Sequence, residues 1–594
     1  MACASLRLIS AAVFAASLNL PSFAQSPTPQ SQTQPVGNLV ATSGLTVRTY
    51  SRMVSLDVVV EGKAGHHLTG LKADDFKIEE QTPSRSGDKR EQKISVFREI
   101  HMAALKPPAA LPANTEPGVY TNAVATQQDP VPPTVLVVDG VNTAIQIQAQ
   151  VHEQMLKILR QLPPNVPVAV ILMGDKLTLL QGFTTDPKLL QQALAKAENL
   201  PTGPLHDPDY DPDAPSNLMF GLGGGAGDYS NQVVSAIRGF DKDIYEWGVE
   251  QRTIKTCDMF VSIAQSLAGY PGRKNLLWLS TSFPVRMYIP WAPKSAQHPA
   301  LYDSHEIPVH LQILNNALSD AKVAVYPVDL AGVTTLSAFT AQTRLGAPSP
   351  TPGQDAIATA NTGQINELYQ EHLSMYDLAE GTGGKVCTGD NDLGDCVRKA
   401  VDDSSDFYEI SYYPDSPDWN GEYRKVFLET HQHGAHLSYR QGYYATPEGS
   451  PDPQSQATEL QDHCNDMLNA TAITFTAKSL PADSPDQLKF SLTVDAAAVS
   501  LPAIGDGNHQ LNLEVAVCTY NAKQWPLNLM NYPVNIKLNA QQFATVNATG
   551  KLTDTVRVPG PKPAAVRLLV KDVVTGRLGS IYIKTGDLVA AVPH

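Results

Sequence analysis

The spacing of apolar positions changes several times along the chain, and each change marks a different kind of element. An apolar stretch from Leu8 to Leu20 follows the single charge of Arg7 and precedes Ser22-Phe23-Ala24, which predicts a secretory signal peptide over residues 1–24. The stretch is shorter than the about 20 residues a membrane-spanning helix needs. Residues 25–44 are polar and proline-rich and read as a disordered leader. Between 45 and 104, Val54 to Val60, Phe76 to Ile78 and Ile94 to Phe97 predict three short strands, a small β domain that needs a neighbour for stability. Seven prolines from Pro107 to Pro133 then predict an extended linker over 105–133.

From Thr134 the period lengthens. The apolar run Thr134 to Val138 is followed by Ile147, Val151, Met155, Ile158 and Leu162 at helical spacing, so a buried strand leads into an amphipathic helix. Strands at Val168 to Leu172, Leu177 to Leu180, Asn275 to Ser280 and Val323 to Val328 alternate with helices at Asp186 to Asn199, Met259 to Ala268, Val309 to Asp320 and Ile365 to Glu380, ending at Lys385-Val386. The alternation predicts a doubly wound parallel α/β sheet over 134–445, with an insertion around 200–240 and a ligand site at the carboxyl ends of its strands. Three more β-like runs, beginning at Tyr408, Lys425 and Leu437, close that range. A polar linker at 446–460 precedes residues 461–594, where strands at Leu488 to Val494, Leu511 to Cys518, Val534 to Leu538, Val566 to Val570 and Ile581 to Ile583 predict a C-terminal β-sandwich. The fold class expected is multidomain, α/β plus all-β.

Composition narrows the partners. With 44 Lys+Arg against 59 Asp+Glu the net charge is −15, and no run of five or more basic residues occurs, which argues against nucleic-acid binding. After removal of the signal with Cys3, five cysteines remain. Cys387 and Cys396 flank a short loop and are the expected disulfide, while the pairing of Cys257, Cys464 and Cys518 stays open.

The sharpest candidate chemistry is Asp139-Gly140-Val141-Asn142-Thr143, directly after the first α/β strand, where a carboxylate and a hydroxyl can converge on a hard divalent cation. An alternative use of the same residues is to cap the following helix. The run Val135 to Thr143 and the strand-helix order to about residue 400 resemble the von Willebrand factor A domain, whose metal-ion-dependent adhesion site holds Mg²⁺ with D-x-S-x-S, a Thr from a second loop and an Asp after the fourth strand. The resemblance places Asp139 and Thr143 at the first and fifth positions, with Thr202 as the second-loop Thr. Val141 stands where the first Ser is expected, and Leu279-Ser280-Thr281-Ser282 stands where T-D-G is usual. The segments Leu56 to Phe76, Gly272 to Pro284 and Leu378 to Gly384 extend the likeness, over nearly the whole mature chain, to the VWFA-related exported proteins abundant in Acidobacteria.

Other motifs are weaker. His206 to Asp213 reads H-D-P-D-Y-D-P-D but lacks the Gly and Glu of a calcium loop, and the glycine-rich Gly221 to Gly227 has neither a preceding strand nor a following Lys. His305-Glu306-Ile307-Pro308-Val309-His310 has one residue too many for the zinc-protease helix. His431, His433 and His436 surround a glycine turn and read as a hairpin tip. The expectation is an exported, non-enzymatic adhesion or interaction module of the periplasm or cell exterior. It would bind a protein or glycan, with a degenerate Mg²⁺ site at Asp139, Asn142, Thr143 and Thr202 and no transmembrane segment in the mature chain. The alternatives are a secreted hydrolase with an unrecognised site and a structural envelope component.

Overall fold

The computed structural model describes residues 53–63, 65–83, 88–101, 117–124, 133–143, 148–162, 166–197, 228–280, 306–330, 374–388, 393–416, 418–447, 453–465, 468–482, 484, 487–559 and 561–588. The chain opens with strands β1 (Val54–Glu61), β2 (Phe76–Gln81), β3 (Lys89–Gln92) and β4 (Ile94–His101). β2 keeps the period of two faithfully: Phe76, Ile78 and Glu80 are buried and the residues between them are not. The short strand β5 (Val119–Thr121) comes from the proline-rich stretch.

The α/β body follows as β6 (Thr134–Asp139), α1 (Gln148–Gln161), β7 (Val168–Met173), β8 (Leu177–Thr184), α2 (Pro187–Ala197), α3 (Asp228–Leu267), β9 (Lys274–Ser280), α4 (Glu306–Asp320), β10 (Val323–Asp329), α5 (374–382) and α6 (Leu393–Asp402). The sheet order is β10-β9-β6-β7-β8, parallel except for the antiparallel edge strand β8. β6, β7, β9 and β10 are buried along their whole length, because both faces are covered. On one face Val135, Val137 and Trp278 pack with Phe260 and Ile263 of α3 and Leu311 and Leu314 of α4. On the other, Leu136, Val138 and Val170 pack with Ile158 of α1, Leu194 of α2 and Val397 of α6. Two expectations change here. The insertion expected around 200–240 is helical from Asp228, as the first turns of the 40-residue α3. Lys385-Val386 forms no strand; the chain instead makes a single parallel bridge at Cys387 to Val328.

After the α/β body come β11 (Asp406–Tyr412), β12 (Tyr423–Thr430), β13 (His436–Ser438) and β14 (Gly442–Tyr444). They do not extend the parallel sheet. They interleave with the first four strands as two antiparallel sheets, β13-β1-β11-β4 and β14-β12-β2-β3, sharing one core that includes Leu56, Val58, Ile78, Ile410 and Val426. The sequence groups 408–444 with the α/β domain and keeps 45–104 apart, but the pairing joins the two. The α/β body is therefore an insertion within one sandwich. It leaves after β4 and returns into β11, whose first residue Asp406 pairs with His101.

The C-terminal unit consists of α7 (Pro453–Asn465), β15 (Phe475–Leu480), β16 (Leu488–Asp495), β17 (Ala503–Gly505), β18 (Asn508–Tyr520), β19 (Pro526–Leu538), α8 (Ala540–Thr549), β20 (Lys551–Val558), β21 (Ala565–Asp572) and β22 (Leu578–Lys584). β5 joins it at Thr121 to Thr476, so the expected linker supplies an edge strand. The facing sheets bury Phe475, Phe490, Val517, Leu568 and Ile581 between them, each worth about 1.5–3 kcal/mol as apolar burial. A disulfide, Cys464–Cys518, ties α7 to β18. Among the described residues β19 pairs with β18 alone, and it carries Pro533 and Lys537, residue types that discourage edge-to-edge pairing.

Two buried polar networks invite measurement. In the N-terminal sandwich, Tyr412 and Tyr443 each donate to Glu80 at 3.0 Å, and the fully buried Arg424 lies 3.5 Å from the same carboxylate. Burial raises the pKa of Glu80, opposed by Arg424 and the two hydroxyls. Glu80→Ala leaves the Arg424 guanidinium without its carboxylate and is expected to cost about 3–5 kcal/mol in urea unfolding; a cost under about 1 kcal/mol would contradict this reading. At the seam between sandwich and α/β body, His67 lies 3.2 Å from buried Asp403 and 4.0 Å from Asp406, while Lys385 bridges Asp403 and Glu61. The Asp403 hydrogen bond, against desolvation, holds the His67 pKa above 6.5. The folded state therefore binds this proton more tightly than the unfolded one. The contribution is full below the unfolded value and is lost as pH rises through the folded value. As pH rises above about 6.5, stability is expected to fall more steeply in wild type than in His67→Gln, measured as urea midpoints.

Candidate functional site at the end of β6

β6 is the central strand of this sheet, with β7 and β8 on one side and β9 and β10 on the other. Its last residue is Asp139, 2% exposed. Asp139 Oδ1 accepts from the backbone N–H groups of Val141 and Asn142, both at 2.9 Å, which folds the following loop back over the carboxylate. Asp139 Oδ2 accepts from Asn142 Nδ2 at 2.8 Å and from the indole Nε1 of Trp278 at 2.9 Å. Ser280, at the end of β9, adds a side-chain hydrogen bond. Burial raises the Asp139 pKa, and the bonds from Asn142, Trp278 and Ser280 oppose that shift.

The loop is anchored from a third element. Asn142 Nδ2 also donates to Thr256 Oγ1 of α3 at 3.1 Å, and Trp278 meets Phe260 of the same helix edge-to-face, ring centres 5.0 Å apart. Two oxygens are left over. Among the described residues, Asn142 Oδ1 and Thr143 Oγ1 are buried and have no hydrogen-bond partner. A buried polar atom without a partner costs about 1–3 kcal/mol, so the two oxygens beside this carboxylate are free to accept a further partner. The donor set suits a hard cation: an amide oxygen and a hydroxyl with free lone pairs, and a carboxylate behind them.

The structure thus brings Asp139, Asn142 and Thr143 together. Val141, at the position of the missing hydroxyl, is 2% exposed and packs into the core. Thr202, Thr281, the acidic loop at 206–213 and the glycine-rich run at 221–227 lie outside the described residues. His310 is held by Asp258 of α3 at 2.6 Å, and His431, His433 and His436 are exposed. The Cys387–Cys396 disulfide forms as expected. Sequence reasoning missed Trp278, Thr256 and Ser280. Trp278 and Ser280 were within reach, since they share one face of β9 at a spacing of two, beside the strand that carries Asp139. Nothing in the sequence brings Thr256, more than a hundred residues away, to Asn142.

No family model matches the chain, and no curated protein matches it. Among solved structures, an aerotolerance-related membrane protein from Bacteroides fragilis is similar at 11% identity, covering 46% of this chain and 98% of its own, with a TM-score of 0.20. A mutant of the PilB minor pilin from Streptococcus sanguinis is similar at 9% identity, covering 59% of this chain and 86% of its own, with a TM-score of 0.21. Likeness at these scores carries nothing about site or function. Among the described residues no helix is long and apolar enough to cross a membrane.

The indole bond to Asp139 is testable. Trp278→Phe keeps the ring but deletes the donor to a buried carboxylate, and is expected to cost about 1.5–3 kcal/mol by urea unfolding. A neutral substitution would mean that Asp139 does not depend on the indole.

Proposed function

We propose that the protein is an exported, non-enzymatic interaction module. In this reading a von Willebrand factor A-like, doubly wound body presents the carboxyl ends of its strands to a protein or glycan partner, and two β-sandwiches flank it. The observation that carries the reading is a pair of oxygens, Asn142 Oδ1 and Thr143 Oγ1, that find no hydrogen-bond partner among the described residues, beside buried Asp139 on the central strand of the sheet. Open α/β sheets bind ligands at that place. Helix packing on both sheet faces and the antiparallel edge strand β8 support the body's assignment. The two disulfides and the apolar stretch from Leu8 to Leu20 support export.

Asn142 and Thr143 would hold a divalent cation, with Asp139 supplying charge from behind them. The cation would offer a partner's acidic group an open position. The described groups that touch Asp139 are amides, an indole and a hydroxyl, which position a carboxylate but do not shuttle protons at neutral pH. That favours binding over hydrolysis.

Calorimetric titration with Mg²⁺ and Mn²⁺ tests the metal-dependent form. Wild type is expected to bind, and Thr143→Val to bind about tenfold or more weakly while remaining folded. Equal, negligible heats from both proteins would eliminate it.

A further inference from the structure

At the opposite end of the parallel sheet, where β9 and β10 begin, a cavity of about 30 Å³ lies between the α/β body and the N-terminal sandwich. Ser55 and Asp57 of β1, Arg273, Asn315 of α4, Lys322 and Arg440 line it. Among the described residues, five polar atoms in this wall are buried and have no hydrogen-bond partner: Ser55 Oγ, Asp57 Oδ1, Arg273 Nε, Asn315 Oδ1 and Arg440 Nη1. So many orphans around one small space are unusual, since most buried polar groups find a partner.

The charges say what the space fits. Arg273 is 2% exposed, yet among the described residues its guanidinium bonds to neutral groups: the Asp57 carbonyl at 3.2 Å, the Tyr326 hydroxyl at 3.1 Å and the Gly383 carbonyl at 2.5 Å. Arg440 likewise donates to a carbonyl, that of Ser55, at 3.3 Å. Asp57 is the one carboxylate in the wall, and its Oδ1 already has Lys322 Nζ at 3.8 Å. Lys322 is bonded in turn to Glu409 at 2.5 Å. Lys274, also buried, stands nearby and donates to the Ala321 carbonyl at 2.7 Å. Buried Arg273 and half-buried Arg440 thus face one half-open cavity, neither bonded to a carboxylate among the described residues, which leaves their positive charge uncompensated there. Water would satisfy their N–H groups but would not neutralise them. At about 10–15 Å³ for each water-sized occupant, the space admits two waters or one small ion.

We infer that this cavity is a binding site for a small inorganic anion of chloride size, held by Arg273 Nε, Arg440 Nη1 and the Ser55 hydroxyl. The site is independent of the β6 site. It would pin the sandwich to the amino-terminal edge of the sheet, because Ser55 and Arg440 come from one unit and Arg273 from the other.

Bromide replaces chloride and scatters anomalously. Crystals of the full chain grown in bromide are expected to show an anomalous peak between Arg273 Nε and Arg440 Nη1. Thermal unfolding should shift upward by a few degrees in sodium chloride over sodium gluconate at equal ionic strength, and the difference should vanish in Arg440→Gln. Absence of the peak in wild type overturns the inference whether or not Arg440→Gln folds. So does a peak accompanied by equal melting temperatures in the two salts.

Discussion

The antiparallel pairing of β4 with β11 is the contact on which the rest of the molecule depends. It runs from His101 opposite Asp406 to Ile94 opposite Tyr412, and the α/β body, from β6 to α6, lies in the chain between these two strands. Because the exit and entry strands are neighbours, the α/β body can be complete in itself while the sandwich keeps a continuous core around Leu56, Ile78, Ile410 and Val426. The β6 site faces away from this junction, at the carboxyl ends of the strands. The seam is at their amino ends. The amino end of this sheet attaches to the sandwich, and its carboxyl end carries Asp139 and the loop that folds over it.

The seam is polar where a domain interface could have been apolar. Arg273, Lys322 and Lys385 all reach across it or along it, to the Asp57 carbonyl, to Glu409 and to Glu61. The T-G-G turn of Leu378 to Gly384 belongs to the same construction. Thr382 Oγ1 accepts from the backbone of Val325 at 3.0 Å, and Gly383 takes a φ of 79° and offers its carbonyl to Arg273. A Cβ on Gly384 would lie 1.9 Å from the Val325 carbonyl oxygen, so only glycine lets the turn press against β10. Directional bonds of this kind fix one orientation of the two bodies, where an oily patch would tolerate several.

Much of the fold was legible because its elements follow simple periods. The continuous apolar runs at Thr134 to Val138 and Val323 to Val328 are strands buried on two faces, and the alternation in β2 and β16 is that of strands buried on one. What period cannot convey is partnership. β11 and β12 look alike whether they extend a neighbouring sheet or return to strands more than three hundred residues earlier, and only pairing distinguishes the two. The same limit applies at the site. Asp139, Asn142 and Thr143 are local and were readable, while Thr256 reaches them from α3 by tertiary packing. The proline-rich stretch misled for a related reason: its composition disfavours structure of its own, yet β5 needs only a ready-made edge at β15.

The inserted architecture has a kinetic side. His101 and Asp406 are 305 residues apart in the chain. At a synthesis rate of about 5–20 residues per second, β1 to β4 exist for roughly 15–60 s before their partners emerge. During that interval β2 can pair with β3, but Val54, Leu56 and Val58 of β1 lack both native partners of that strand, β11 and β13, and present an apolar face and open edges. A cell that makes this protein must hold those strands apart or keep them extended until the later half of the chain arrives. The long wait of its first hundred residues is thus a demand the topology places on the folding machinery, separate from anything the finished molecule does.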